Sequence, residues 1–274
     1  MSVIDSFEKS PVKSIKHSTY FPVYEKLLAR FVGTDFTFVE VGIAKGGSLY
    51  MWRDYFGPQA RIIGIDINKG TLKFIEEGFE VFIGSQSEPE FWQNFYKQVG
   101  QVDVLLDDGG HTFEQQIITV QSALPYINDD GLIIVEDTHT SYMRSYGGPS
   151  KRSFVSYSKN IVDGMNYRFS LFEEKHRTER YIYSTQFFES FVVFEINKEL
   201  CAIQSRWLEN EGKEPPDDFF DYGNNRTPLH NYVSQLKIVK ENKAFRTVAL
   251  KCQAVIRGIK LTIKNNFLRK YFRY

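Results

Sequence analysis

Two acidic pairs at the ends of apolar runs are the residues of this chain best placed to do chemistry. Val102-Asp103-Val104-Leu105-Leu106 runs into Asp107-Asp108-Gly109-Gly110-His111, and Leu132-Ile133-Ile134-Val135 runs into Glu136-Asp137. If the runs are adjacent strands, both pairs end on one side of a sheet, where unneutralised carboxylates repel one another and a divalent cation relieves the repulsion. Oxygen donors without a cysteine cluster suit Mg²⁺, or Mn²⁺ or Ca²⁺, better than zinc. A cation there would orient two oxygens of a diol-like acceptor and lower the pKa of the attacking hydroxyl. His111, three residues beyond Asp108, is placed to accept that hydroxyl's proton as the oxygen attacks a methyl group. Two structural readings stay open: Asp107 or Asp108 caps the following helix, and His111 is a structural hydrogen bonder.

A second constellation lies upstream. Phe38-Val39-Glu40-Val41-Gly42-Ile43-Ala44-Lys45-Gly46-Gly47-Ser48 reads as a strand, an acidic residue, a glycine turn and a helix start. A dinucleotide fingerprint requires G-x-G-x-x-G, whereas these glycines run G-x-x-x-G-G with Glu40 two positions ahead. That favours S-adenosylmethionine (SAM), whose ammonium Glu40 would meet directly, or whose loop Glu40 would orient. Gly42, Lys45, Gly46 and Ser48 belong to the same turn. Arg61-Ile62-Ile63-Gly64-Ile65-Asp66 ends in a carboxylate able to accept both ribose hydroxyls. Ser85 and Gln86 follow the next run and fall at the adenine edge, and Asp107 is counted with this cofactor set.

The elements that must position these residues are visible as period and punctuation. Short apolar, β-branched runs at 36–41, 61–67, 79–83, 102–106 and 131–135 read as buried parallel strands. Between them lie helix-length segments, the clearest at 112–127, where Phe113, Ile117, Val120, Leu124 and Ile127 recur at spacings of three and four behind a Thr112–Gln115 capping box. Alternating strands and helices predict a Rossmann-like, doubly wound and mostly parallel α/β sheet, with ligands beyond the carboxyl ends of the strands. Runs at 180–184 and 191–195 predict a terminal antiparallel pair. The predicted divisions are a covering segment over 1–35, the main domain over 36–198, an acidic linker over 199–231 and a basic amphipathic helical tail over 232–274.

Composition bounds the function classes. The chain has 274 residues, 42% hydrophobic and 25% charged, with no apolar run near the ~18 residues that span a membrane. Two cysteines, Cys201 and Cys252, are too few for a disulfide framework, and the N-terminus lacks an apolar signal core, so a reducing cytosol is the expected compartment. The zero net charge is divided: residues 1–198 carry a net −6, whereas 232–274 carry 11 Lys and Arg against Glu241 alone. A basic stripe with Phe267, Tyr271, Phe272 and Tyr274 suits the inner face of an anionic membrane, or packing on its own domain or on a second subunit of a homo-oligomer. Nucleic acid is disfavoured, because the body is acidic and carries no RNA-binding motif.

The residues together resemble the metal-dependent sugar O-methyltransferases of macrolide (mycinamicin-type) biosynthesis and their cephalosporin hydroxylase-like relatives, which are class I SAM-dependent methyltransferases. The resemblance spans roughly residues 13–197. It rests on Lys13 to Tyr24 with His17, Tyr20 and Tyr24, Glu40 to Ser48, Asp107 to His111, Glu136 to Tyr142, Val162 to Asn166 and Phe187-Phe188-Glu189-Ser190. It implies that Asp108, Glu136 and Asp137 hold Mg²⁺, that His111 is the base beside Asp108, and that His17 to Tyr20 fold over the cofactor. Gly110 departs from the family's usual serine, and residues 199–274 match nothing in it. His139 and Tyr142 are candidate acceptor contacts, with capping or packing as the alternative. The expected activity is Mg²⁺-assisted methylation of a sugar hydroxyl on a cell-surface or secreted polysaccharide or a glycolipid. The rivals are a small-molecule natural-product O-methyltransferase and a non-catalytic SAM-fold binding module.

Overall fold

The computed structural model describes residues 2–169 and 179–212, together with residues 247, 248, 251, 252, 255, 256 and 259, all of them helical. The remainder of the acidic linker and of the basic tail expected from the sequence lies outside the described residues. The chain divides into two compact units, Met1–Trp207 and Leu208–Tyr274, and the first carries every element discussed below.

Seven strands form one sheet in the order β3-β2-β1-β4-β5-β7-β6: β1 (Thr37–Val41), β2 (Arg61–Asp66), β3 (Glu80–Ile83), β4 (Val102–Asp107), β5 (Ile127–Val135), β6 (Ile182–Phe188) and β7 (Phe191–Ile196). The first five pair in parallel, while β7 runs antiparallel to both β5 and β6. The predicted doubly wound sheet with its terminal antiparallel pair is therefore the observed one. Continuous apolar sequence in β1, β4 and β5 reflects burial on both faces. Phe38, Leu106 and Ile134 pack into one core with α1 (Val3–Lys9), α2 (Phe21–Leu28) and α3 (Gly47–Phe56). Val39, Leu105 and Ile133 point the other way, against α4 (Pro89–Val99), α5 (Phe113–Ala123) and α6 (Phe154–Tyr167). A last short helix, α7 (Lys198–Ala202), follows β7.

Three elements differ from expectation. The helix predicted over 112–127 keeps its capping box, with Thr112 accepting from the Gln115 backbone, but ends at Ala123. Pro125 cannot donate to a helical turn, so Leu124–Tyr126 tightens into a 3₁₀ turn and Ile127 opens β5, four residues earlier than predicted. The buried face of α5 is accordingly Gln116, Thr119, Val120 and Ala123. Helix α6 was not anticipated, although Ser153 caps it and Phe154, Ser158 and Ile161 fall on its buried face. The N-terminal segment is more than a cover: Tyr24, Leu27 and Leu28 of α2 are core residues.

Candidate active site

The carboxyl ends of β1, β2 and β4 surround a cavity of ≈ 300 Å³ lined by Gly42, Ala44, Asp66, Ile67, Ser85, Gln86, Asp108, Gly109 and Gln115, among others. The strand ends are laced together, with Gly42 N donating to Ile65 O at 2.8 Å and Asp108 N to Val41 O at 3.0 Å. This closeness dictates the glycine: Gly42 has φ +87°, and a Cβ there would collide with the carbonyl oxygen of Asp108. Asp66 is held at the rim, one oxygen accepting from Ala44 N and the other from Asn68 N, each at 2.8 Å. Each carboxylate oxygen retains a lone pair for an incoming hydroxyl.

Several residues assigned to the cofactor stand behind this wall instead of on it. Glu40 is fully buried and accepts from Ser48 Oγ at 2.7 Å and Trp52 Nε1 at 3.2 Å, which ties β1 to α3. Of the two roles left open for Glu40, orienting the loop is the one this geometry serves. Burial pushes its pKa from 4.5 up to about 7, against the lowering pull of Lys16 and Ser48. Asp107 is buried too, and its carboxylate accepts from Gln86 Nε2 at 3.0 and 3.1 Å and from Gly109 N at 3.1 Å; burial raises its pKa. Gln86 then accepts from Gly110 N at 2.7 Å, so Asp107 and Gln86 brace the Asp108–Gly110 loop. Lys45 is exposed at the turn, and Gly46, with φ +81°, begins α3 against the ring of Phe74.

The acidic pairs do meet, as β4 and β5 are neighbours with Asp107 in register with Val135. Asp108, His111 and Asp137 each bring one ligating atom within 4.8 Å of the others. His111 Nε2 lies 3.5 Å from Asp137 Oδ2, while its Nδ1 is buried without a partner. Both residues adopt left-handed backbone, His111 at φ 57° and Asp137 at φ 54°, a strained arrangement of the kind that concentrates at functional sites. Glu136, expected as the third carboxylate of this cluster, is engaged elsewhere. It is fully buried, accepts from the Tyr24 hydroxyl, and lies 3.0 and 3.2 Å from Lys16 Nζ. The same ammonium is 2.5 Å from Asp108 Oδ2. Burial acts to lower the Lys16 pKa, but the charges of Glu136, Tyr24 and Asp108 outweigh it and hold it well above 10.5. Burial raises Glu136; an ammonium against both of its oxygens is nonetheless the geometry of a charged pair.

A second cavity, of ≈ 510 Å³, opens on the other side of the cluster and is lined by His17, Tyr20, Thr138, His139, Tyr142, Val155 and residues 187–191, among others. The structure places His17 and Tyr20, expected to fold over the cofactor, at this cavity and not among the residues lining the first. Their segment leads into α2, whose burial under β5 and β7 draws it to that side; Tyr20 stacks edge-on against Phe191 at 4.6 Å between centroids. The Tyr20 hydroxyl donates to Asp137, and His139 Nδ1 is 2.8 Å from Ser190 Oγ. Tyr142 and Phe187 expose 62% and 46% of their surface, so aromatic faces stand open at the rim. Chain neighbours of His111 and Asp137 line both cavities: Gly110 lines the first, and Thr138, His139 and Tyr20, which is bonded to Asp137, line the second.

Residues 39–138, which carry the first cavity and both acidic pairs, match the family described as a methyltransferase domain. The match ends at Thr138, so the domain's sequence signature covers the Asp66 rim and the acidic cluster but not β6 and β7. Among curated proteins, the chain is 31% identical over 159 residues to the 8-demethyl-8-alpha-L-rhamnosyl tetracenomycin-C 2'-O-methyltransferase of Streptomyces olivaceus, covering 54% of this chain and 42% of that one. It is 26% identical over 176 residues to the mycinamicin VI 2''-O-methyltransferase of Micromonospora griseorubida, covering 60% and 43%. The chain therefore spans less than half the length of these relatives. In fold, it resembles a solved methyltransferase of the mycinamycin biosynthetic pathway in complex with Mg, SAH and mycinamycin VI, with a TM-score of 0.64 at 21% identity over 80% of this chain and 57% of that one. The sheet is that of class I methyltransferases.

Sequence reasoning missed Lys16 and gave Tyr24 no task. Three clustered carboxylates demand a counter-charge, but nothing in the sequence singles out Lys16 from the other lysines to supply it. In the sequence Gln115 is only half of a capping box and Ser190 only part of a matching motif, until the fold brings each to a cavity.

Proposed function

We propose that this chain transfers a methyl group from SAM to a sugar hydroxyl, with SAM in the cavity rimmed by Asp66 and the sugar in the aromatic cavity beside Tyr142. The observation that carries this reading is the placement of the acidic cluster: Asp108 lines the cavity rimmed by Asp66, and His111 and Asp137, 3.5 Å apart, adjoin in sequence residues that line the two cavities. Asp66 accepts the ribose hydroxyls, Gly42 lets the backbone approach the cofactor, and Gln86 and Ser85 border the adenine. As the acceptor oxygen forms its bond to the methyl carbon, the carbon–sulfur bond breaks and S-adenosylhomocysteine leaves. The acceptor's proton passes to His111 Nε2, the nitrogen that faces Asp137, whose carboxylate stabilises the imidazolium. Left-handed backbone at His111 turns the ring toward Asp137.

Asp108, Asp137 and His111, each with one ligating atom within 4.8 Å of the others, fit a divalent cation. Asp108 and Asp137 would hold it, with Glu136 as a third ligand once freed from Lys16. Bound there, Mg²⁺ or Mn²⁺ would polarise the acceptor hydroxyl. A sugar is proposed because one curated relative named above is a 2'-O-methyltransferase of a rhamnosyl tetracenomycin, and because open aromatic faces at Tyr142 and Phe187 suit the apolar face of a pyranose. A glycosylated small molecule is the carrier that name supports; a glycan chain presents the same hydroxyls. The basic stretch 232–274 is proposed to rest on anionic lipid, on the strength of its sequence alone.

The test is transfer of labelled methyl from SAM across a panel of glycosylated natural products and oligosaccharides, with and without EDTA. Label on a sugar oxygen, lost in EDTA and restored by Mg²⁺, is the expected result. Absence of transfer to every sugar contradicts the acceptor assignment. Transfer unaffected by EDTA removes only the role given to the cation.

A further inference from the structure

The carboxylates that the proposed function assigns to a divalent cation already hold a cation of the protein's own. Lys16 Nζ lies 2.5 Å from Asp108 Oδ2 and 3.0 and 3.2 Å from the two oxygens of Glu136, with its side chain only 5% exposed. Among the described residues no other lysine or arginine pairs with Asp108 or Glu136. We infer that Lys16 is a built-in counter-ion that competes with the divalent cation for Asp108 and Glu136, so that loading the metal expels the lysine from the cluster. This rests on the metal reading above.

Geometry supplies the conflict. Mg²⁺ sits ~2.0 to 2.1 Å from its oxygen ligands, so an ion on the Asp108 carboxylate would stand within a few ångströms of an ammonium that touches the same group. Like charges at that separation inside a buried site repel strongly, and expulsion of Lys16 both ends the repulsion and frees Glu136. The resulting set of Asp108, Glu136 and Asp137 is the one that the sequence pointed to. It is absent here because the lysine takes one of its members.

The chain that carries Lys16 is lightly held beyond Ser14. Residues 10–19 cross from α1 to α2 over the carboxyl ends of the strands. Ser10 Oγ donates to Gly47 O at 2.8 Å and Tyr20 N to His17 O at 3.0 Å, but among the described residues no backbone–backbone hydrogen bond ties 11–16 down. Ile15 is 86% exposed and anchors nothing. Val12 and Ser14 pack on Gly47 and Ser10 Oγ also donates to Val12 O, so the start of the segment is held on α3; at the acidic cluster its hold is the ammonium of Lys16, and a cation that takes over those carboxylates removes it. In the metal-free protein the lysine would also spare three clustered carboxylates from unrelieved repulsion.

The test has two arms, neither of which reads methyl transfer. First, Mn²⁺ is titrated calorimetrically into the full-length wild type and Lys16→Met. The variant is expected to bind at least tenfold more tightly; equal or weaker binding overturns the inference. No Mn²⁺ binding by either protein overturns the metal reading and the competition with it, a result distinct from equal, measurable affinities. Second, the wild type is digested briefly with trypsin, and cleavage after Lys16 is followed by mass spectrometry relative to cleavage after Lys13. Because a buried lysine cannot enter the protease, Mn²⁺ is expected to raise the Lys16 rate at least fivefold. A ratio unchanged by Mn²⁺ overturns the inference even if Lys16→Met fails to fold.

Discussion

Glu40→Gln separates the two roles weighed for that residue and has a sign that the structure fixes. Glu40 is fully buried, and its pKa is raised from 4.5 to about 7, first by burial, with Lys16, Ser48 and Trp52 opposing. The folded state therefore holds this proton more tightly than the unfolded state does. Its contribution to stability is fully present below pH 4.5 and is lost as pH rises towards 7. At about 1.4 kcal/mol per pH unit, the interval between 4.5 and about 7 amounts to about 3 kcal/mol. Glutamine keeps an acceptor for Ser48 and Trp52 but never ionises, so its contribution does not change with pH. Urea unfolding of both proteins from pH 4.5 to 8 measures the difference directly, and carboxylates common to both cancel. The variant's stability relative to wild type should rise by about 3 kcal/mol across that range and level off above pH 7. Parallel curves, or a difference that falls with pH, would refute the account of Glu40 as a buried, partly protonated brace. SAM affinity should stay within about threefold, since Glu40 does not line the cavity.

Asp108→Asn should lower turnover about a hundredfold or more and, although Asp108 lines the SAM cavity, cost far less in SAM affinity; equal losses in both would assign Asp108 to the cofactor. Gly42→Ala should destabilise by more than about 2 kcal/mol in urea unfolding, because φ +87° and the Asp108 carbonyl both exclude a Cβ. Tyr142→Ala, at a side chain 62% exposed, should leave stability within about 0.5 kcal/mol and raise the acceptor KM without altering SAM binding; an unchanged KM would remove Tyr142 from the sugar site. Replacing Lys264, Arg269, Lys270 and Arg273 with glutamine should weaken cosedimentation with anionic liposomes, and unchanged sedimentation would favour packing of the tail on protein.

What the sequence made legible follows from which signals are local. Strand ends are local: an apolar run stopping at Asp66, Asp107 or Glu136 marks both the element and its ligand side, which is why the sheet and the rim of the first cavity were readable. The turn at Gly42 was readable for the same reason. Helix α6 was not, because serine, lysine and asparagine dilute its apolar period, and the end of α5 was misread because Ile127 continues a helical spacing that Pro125 interrupts. The division of labour among acids is not local at all. Glu40 and Asp66 both end strands, yet only the fold shows that Glu40 faces α3 while Asp66 faces a cavity. Glu136 and Asp137 are adjacent, but the left-handed turn at Asp137 sends one carboxylate to Lys16 and the other to His111. The contacts of Lys16 and Tyr20 bridge 92 residues or more of chain, and no motif announces them.

The reading as a whole depends on SAM occupying the cavity between β1, β2 and β4. Titrating SAM calorimetrically into the wild type and Asp66→Ala tests this most directly. The account predicts one molecule bound per chain, with affinity about tenfold to a hundredfold weaker in the variant, as expected for the loss of a carboxylate that accepts the ribose hydroxyls. No heat from the folded wild type, or equal binding by both proteins, would contradict it.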